Sequence, residues 1–165
     1  MRLFYKQLLL FKNEEIILME LEKKIAIVDD DEADKYLIER YFRENGYVAT
    51  LYRNGREAIR GLALNTPPVV LIDFVLPDMS GIDVYDQTKH LLYQPIFMSG
   101  IMKYVDAKKL ADIIPQLTSF NFVQKSTDLL EIYELAEKMH NLEQKICNGE
   151  LSRDTLTEVN VEKVQ

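Results

Sequence analysis

IAIVDDDE, residues 25 to 32, is an apolar run rich in β-branched residues that stops on four acids. Three later stretches repeat the pattern. VVLIDFVLPDMSG (69–81) leads to Asp73, PIFMSG (95–100) to Ser99, and SFNFVQK (119–125) to Lys125. Each time a strand-like run delivers one polar residue at its C-terminal end. In an open parallel sheet those ends lie side by side along one edge, and that edge is where ligands bind.

Between these runs the chain reads as helix. Strand one spans Lys24 to Asp29, and helix one spans Glu32 to Asn45 with Ala33, Tyr36, Leu37, Tyr41 and Phe42 at helical spacing. Gly46 is placed to close that helix. Strand two is Tyr47 to Tyr52, and helix two runs from the cap Asn54 to Leu64. Pro67-Pro68 launches strand three, Val69 to Asp73, and helix three covers Met79 to Leu92. Pro95 opens strand four, Ile96 to Ser99, and helix four runs from Lys103 to about Ile114, where Pro115 stops it. Strand five is Phe120 to Gln124. Helix five runs from Thr127 to about Cys147, with Leu129, Ile132, Tyr133, Ala136, Met139 and Ile146 as its inner stripe. Five strands alternating with five helices predict a doubly wound α/β fold with a parallel sheet covered on both faces. Right-handed crossovers leave few topologies, and the flavodoxin-like (βα)5 order 2-1-3-4-5 is expected.

Composition bounds the function. The chain has 165 residues, 47% hydrophobic and 28% charged, as expected of a soluble globule of one domain with extensions. A net charge of −7 gives no electrostatic footprint for nucleic acid. The one cysteine, Cys147, fits a reducing compartment, so a cytoplasmic location is expected. No apolar run approaches the ~20 residues of a membrane span. Residues 1–22 read as an extension: an accessory helix, sequence upstream of a natural start at Met19, or an amphipathic segment that docks on a partner, a second copy or a membrane surface. Leu8, Leu9, Phe11, Ile16, Ile17 and Leu18 would be sticky if exposed. Residues 23–147 form the folded domain, and 148–165, polar and without a clear stripe, read as a flexible tail.

The strand ends carry the chemistry. Strands one and three are neighbours in this order, so Asp29, Asp30 and Asp73 converge. Like charges in one pocket repel unless a cation is present. Hard oxygen ligands without Cys or His point to Mg²⁺, which often binds beside phosphate. Lys125 adds a positive charge and Ser99 a hydroxyl. This set suits phosphoryl transfer, where positioning and charge neutralisation supply most of the catalysis. Asp31 and Glu32 favour the start of helix one through its dipole. His90 and His140 lie in helices without metal-ligand spacing and are expected on the surface.

From Lys24 to Cys147 the chain resembles the receiver domain of response regulators in two-component signalling. VDDDE matches the acidic pair, on Asp29 and Asp30, and LIDFVLPDMSG matches the phosphoacceptor loop, with the acceptor on Asp73 and the following turn on Pro77 to Gly81. PIFMSG places the switch hydroxyl on Ser99, Lys125 matches the strand-five lysine, and Phe122 takes the switch-aromatic position three residues before it. The resemblance implies Mg²⁺ held by Asp30, Asp73 and the backbone carbonyl of Val75, with Asp29 helping through water. It implies a phosphohistidine donor on a histidine kinase or phosphotransfer protein, in-line attack by Asp73, and charge stabilisation by Lys125. Ser99 then turns inward and Phe122 follows, which biases the surface formed by helix four, strand five and helix five.

The chain departs from the pattern in three places. Ser126 stands where the family usually has proline. QLTSFNF replaces the usual Gly-Ala before strand five. Val75 and Ile101, apolar beside the site, are expected to hinder attacking water and prolong the phosphorylated form. About 40 residues follow Lys125 and helix five uses half of them, so a stand-alone receiver is expected, not an enzyme, that acts on a downstream protein target by contact or relays phosphate onward. A homodimer through the helix-four face or the N-terminal segment is a further option. The alternative is a receiver-shaped interaction module that works without phosphorylation. An aspartyl-phosphate phosphatase of the haloacid dehalogenase type needs a second aspartate two residues after the nucleophile, and Val75 is there instead.

Overall fold

Strands and helices alternate along the chain, in a computed structural model described over residues 23–100, 122–125 and 129–152. The elements are β1 (Lys23–Val28), α1 (Glu32–Glu44), β2 (Tyr47–Tyr52), α2 (Gly55–Leu64), β3 (Val69–Asp73), α3 (Gly81–Thr88), a 3-10 turn (Lys89–Leu91), β4 (Gln94–Ser99), β5 (Phe122–Gln124) and a C-terminal helix (Leu129–Cys147). The strands form one sheet in the order β2-β1-β3-β4-β5, and every pairing is parallel. This is the expected doubly wound α/β arrangement. The predicted helix four (103–114), Phe120 in strand five and the extension 1–22 lie outside the described residues.

Side chains alternate across the strands, and each face builds its own core. Ile25, Ile27, Val69, Leu71 and Ile96 pack with Ile38 and Phe42 of α1 and Ile132 and Ala136 of the C-terminal helix. Ala26, Val28, Val70, Ile72 and Phe97 face the other way, onto Ala58 and Leu62 of α2 and Val84 of α3. All five residues of β3 are buried, which is why VVLID reads as an unbroken apolar run. Each fully buried Val, Ile or Leu contributes about 1.5–3 kcal/mol.

Several local expectations hold. Gly46 ends α1 in the left-handed region at φ 84, and the Asn54 side chain accepts the Glu57 N–H to cap α2. Pro95 sits inside β4, opposite Val70. Gln94 N–H donates toward β3, to Pro68 O, so position 95 faces β5, whose described ladder starts only at Phe97. The proline therefore removes no ladder bond there.

Other expectations need correction. Helix three does not span Met79 to Leu92. Ser80 and Asp83 close a reciprocal capping box that starts α3 at Gly81. At its other end Thr88 Oγ1 donates back to Val84 O at 2.7 Å and the helix tightens to the 3-10 turn, ended by Leu92 at φ 60. The inner face of α1 is Lys35, Ile38 and Phe42, whereas Tyr36 and Leu37 are 56% and 52% exposed and Ala33 is exposed too. Lys35 can be buried because its stem covers apolar surface while Nζ donates to Asp29 O at 3.1 Å. His140 is not on the surface: it is 4% exposed, its ring edge-on to Tyr47. It and Glu143 continue the stripe Ile132–Ala136–Met139, and Gln94 Nε2 donates to Glu143 at 2.9 Å. Ile146 of the expected stripe is only half-buried. His90 is exposed, as expected. The first residues of the expected tail close the helix: Gly149 N–H donates to Ile146 O, Glu150 N–H donates to Lys145 O, and Gly149 has φ 77. That is a Schellman motif.

Candidate functional site

The acidic run is held open by its own backbone. Asp29 N–H donates to Tyr52 O at 3.0 Å and so extends the sheet by one residue beyond β1. Asp29 is fully buried, and its Oδ1 accepts the Asp31 N–H at 2.9 Å. Asp31 caps α1 by accepting the N–H groups of Ala33 and Asp34. The Asp34 and Ala33 amides hold its carboxyl below the usual range. Asp30 is left exposed at the edge.

Asp73 ends β3 and is 7% exposed. Phe74 N–H donates to Met98 O at 2.8 Å, and Val75 N–H donates to Asp73 Oδ1 at 3.1 Å. The loop that follows is tied at both ends. Asp78 accepts Gly55 and Arg56 N–H at 2.8 and 3.0 Å, which anchors the loop to the start of α2. Gly81 lies so close to Asp73 that a Cβ there would meet its carbonyl oxygen at 2.2 Å.

Ser99 ends β4, 5% exposed, and its carbonyl accepts the Lys125 N–H at 3.0 Å. That bond fixes the lysine backbone beside β4. The side chain then crosses to β3 and β1, where Nζ lies 2.6 Å from Asp73 Oδ2 and 2.7 Å from Asp29 Oδ2. The first contact is a directed hydrogen bond. The second is an ion pair, and it gives the buried Asp29 Oδ2 its close partner. Burial pushes the Asp29 carboxyl up, and the nearby ammonium only partly offsets this. Burial alone would lower Lys125, but Asp29 and Asp73 outweigh it and hold the ammonium above the ordinary lysine range.

Asp30, Asp31, Asp34, Asp73, Val75, Ser99, Gly100 and Lys125 line one cleft of about 280 Å³. One carboxylate oxygen each from Asp29, Asp30 and Asp73 lie within 4.8 Å of one another. Three carboxylate oxygens this close, in an all-oxygen donor set, fit a hard divalent cation. Val75, 54% exposed, pairs with Ser80 across the loop through Gly81 N–H donating to Phe74 O. Phe122 is half-buried, stacked on Phe97 at 5.4 Å and tilted against Phe74 at 6.4 Å, and Phe74 is the residue after Asp73. Ile101 and Ser126 lie outside the described residues.

Two residues of this site were not anticipated. Asp34 Oδ2 lies 3.5 Å from Lys125 Nζ, and Lys35 ties α1 to the Asp29 carbonyl and to Glu32 at 2.9 Å. The available signal was position: both follow the Asp31 cap by three and four residues, the spacing that returns to the same helix face.

The family model described as response regulator receiver domain matches residues 25–137. The DNA-binding transcriptional regulator NtrC of Escherichia coli K12 is 31% identical over 114 residues, covering 69% of this chain and 24% of NtrC. The alkaline phosphatase synthesis transcriptional regulatory protein PhoP of Bacillus subtilis 168 is 32% identical over 79 residues, 47% of this chain and 33% of PhoP. This chain thus spans a quarter to a third of the length of these relatives. A CheY-like receiver domain from Methanospirillum hungatei JF-1 superposes with a TM-score of 0.65 at 20% identity, covering 74% of this chain and 97% of that one.

Proposed function

Since this chain belongs to the response regulator receiver domain family, we propose that it accepts a phosphoryl group on Asp73 from a phosphohistidine of a histidine kinase or phosphotransfer protein. The observation that carries this reading is the lysine bridge: Lys125 Nζ within 2.7 Å of both Asp29 and Asp73 at the head of one cleft. An Asp73 oxygen attacks phosphorus in line. The new O–P bond forms as the P–N bond breaks, and its electron pair leaves on the imidazole. Lys125 turns from Asp73 Oδ2 toward a phosphoryl oxygen and offsets charge on the equatorial oxygens. Asp29, Asp30 and Asp73, with the Val75 carbonyl, would hold Mg²⁺, which supplies charge neutralisation for the transfer. Val75 N–H, which donates to Asp73 Oδ1, orients the acceptor.

Ser99 and Phe122 carry the response in this reading. The Ser99 hydroxyl bonds the phosphoryl group, and Phe122, packed between Phe97 and Phe74, repacks beside it. The changed face presents itself to a downstream protein. The net charge of −7 favours protein contact over nucleic acid, and the cytoplasm is the compartment that suits the exposed thiol of Cys147.

The test is intact mass after incubation with acetyl phosphate, with and without Mg²⁺, beside Asp73→Ala. A single phosphoryl adduct that requires both Mg²⁺ and Asp73 is expected. An adduct that persists in Asp73→Ala overturns the assignment, and no adduct on the unaltered protein turns the reading toward an interaction module that works without phosphorylation.

A further inference from the structure

Lys125 has three N–H donors, and a third carboxylate stands before it. Asp34 lies in the first turn of α1 and lines the cleft, its side chain 46% exposed, with Oδ2 3.5 Å from Lys125 Nζ. That separation is an ion pair, longer than a hydrogen bond. Its backbone is pinned, because Asp34 N–H donates to the Asp31 cap at 3.1 Å. Asp34 therefore sets a negative charge beside the lysine, at the α1 wall of the cleft.

We propose that Asp34 is a positioning and donor-selecting residue for phosphoryl transfer: it draws the Lys125 ammonium toward α1 and places a negative gate before Asp73. This rests on the phosphoacceptor reading above. Among the described residues, Asp30, Asp31, Asp34 and Asp73 line the cleft with Lys125, and Asp29 lies 2.7 Å from its ammonium. During transfer Lys125 must release Asp73 Oδ2 for a phosphoryl oxygen, and Asp34 competes for it. The same charge repels an anionic donor. Acetyl phosphate, a dianion, meets that field with only Lys125 and the bound cation to offset it, and with no docked surface. Phosphoramidate, a monoanion at neutral pH, meets about half of it. A protein donor approaches with contacts over a whole surface that offset the repulsion. The gate thus disfavours small dianionic donors relative to a docked protein.

The experiment compares adduct formation on the unaltered chain, Asp34→Asn and Asp34→Glu, with Mg²⁺, using acetyl phosphate and phosphoramidate at low and high salt. Asp34→Asn removes the charge and keeps the shape. It is expected to react with acetyl phosphate about three- to tenfold faster at low salt, with a smaller gain for phosphoramidate and a gain that shrinks as salt screens the cleft. Asp34→Glu keeps the charge and is expected to stay near the unaltered rates. Equal rates for Asp34→Asn and the unaltered chain overturn the proposal. So does a gain that is the same for both donors and indifferent to salt, because that is the signature of altered packing. Adduct formation on the unaltered chain and its absence in Asp73→Ala keep the phosphoacceptor reading standing even if Asp34 fails. No adduct on the unaltered chain removes both.

Discussion

Replacing Lys125 by Met removes the ammonium that lies 2.6 Å from Asp73 and 2.7 Å from Asp29 while keeping most of the apolar stem. Two carboxylates then face each other across the cleft, one of them fully buried. Removing one partner of a buried ion pair costs about 3–5 kcal/mol. The Lys125 side chain is 13% exposed and the cleft opens to water beside Asp30, so about 2–3 kcal/mol is expected at neutral pH, or roughly 4–12 °C in Tm. The pH dependence has a definite sign. Burial holds the Asp29 carboxyl above its ordinary range, so its contribution to stability is present at acid pH and lost as pH rises through that raised range. Lys125 limits the loss in the unaltered protein, and its own raised pKa keeps its contribution intact until pH exceeds the ordinary lysine range. The deficit of Lys125→Met is therefore small near pH 4 and full at about pH 7.5. Saturating Mg²⁺ at neutral pH should recover most of it by replacing the missing positive charge. Urea unfolding followed by circular dichroism measures all of this. A variant as stable as the parent at about pH 7.5 without Mg²⁺, within about 0.5 kcal/mol, would refute the charge argument.

Gly81→Ala puts a Cβ 2.2 Å from the Asp73 carbonyl oxygen, and neither backbone can yield cheaply. A loss of about 1–3 kcal/mol is expected together with slowed adduct formation on Asp73, read by denaturation and intact mass. Asp78→Ala removes the acceptor of two N–H groups at the start of α2; about 1 kcal/mol should be lost, and a loss below about 0.3 would mean that Asn54 alone caps the helix. His140 is buried with Nδ1 unbonded, and burial lowers its pKa. Its depressed pKa contributes stability that is present above the ordinary histidine range and lost as pH falls through it. The stability of His140→Phe relative to the parent should therefore grow as pH drops from about 7 to about 5, and a difference independent of pH would contradict the burial.

Some of the site is legible in the sequence because each polar group follows its own strand. Asp29, Asp73, Ser99 and Lys125 sit at strand ends, and a strand end is a local feature that β-branched runs and turn residues mark. Asp34 was not readable in the same way. It lies in the first turn of α1, which is mostly exposed, and only the arrival of Lys125 from about ninety residues further on gives it a partner. His140 failed for a related reason: no metal-ligand spacing says nothing about burial, and its burial depends on Tyr47 and on the way the C-terminal helix runs past the sheet.

The sequence by itself determined the alternation of strand and helix, the strand order and which polar residues end the strands along the candidate site's edge. These rest on near-neighbour physics: side-chain periods of two and 3.6, Gly46 and Asn54 at helix ends, and the handedness of crossovers. Tertiary structure alone decided which face of α1 turns inward. Tyr36 and Leu37 outrank Lys35 in hydrophobicity, yet Lys35 is buried because the Asp29 carbonyl receives its ammonium. It also decided where α3 stops, through the Thr88 back-bond and its contact with Tyr93, and which charges meet at Lys125. Ion pairs such as Lys23 with Glu137 and Lys125 with Asp73 join residues 114 and 52 positions apart. No local pattern encodes such a meeting, because it exists only once the strands have been brought side by side and the helices laid across them.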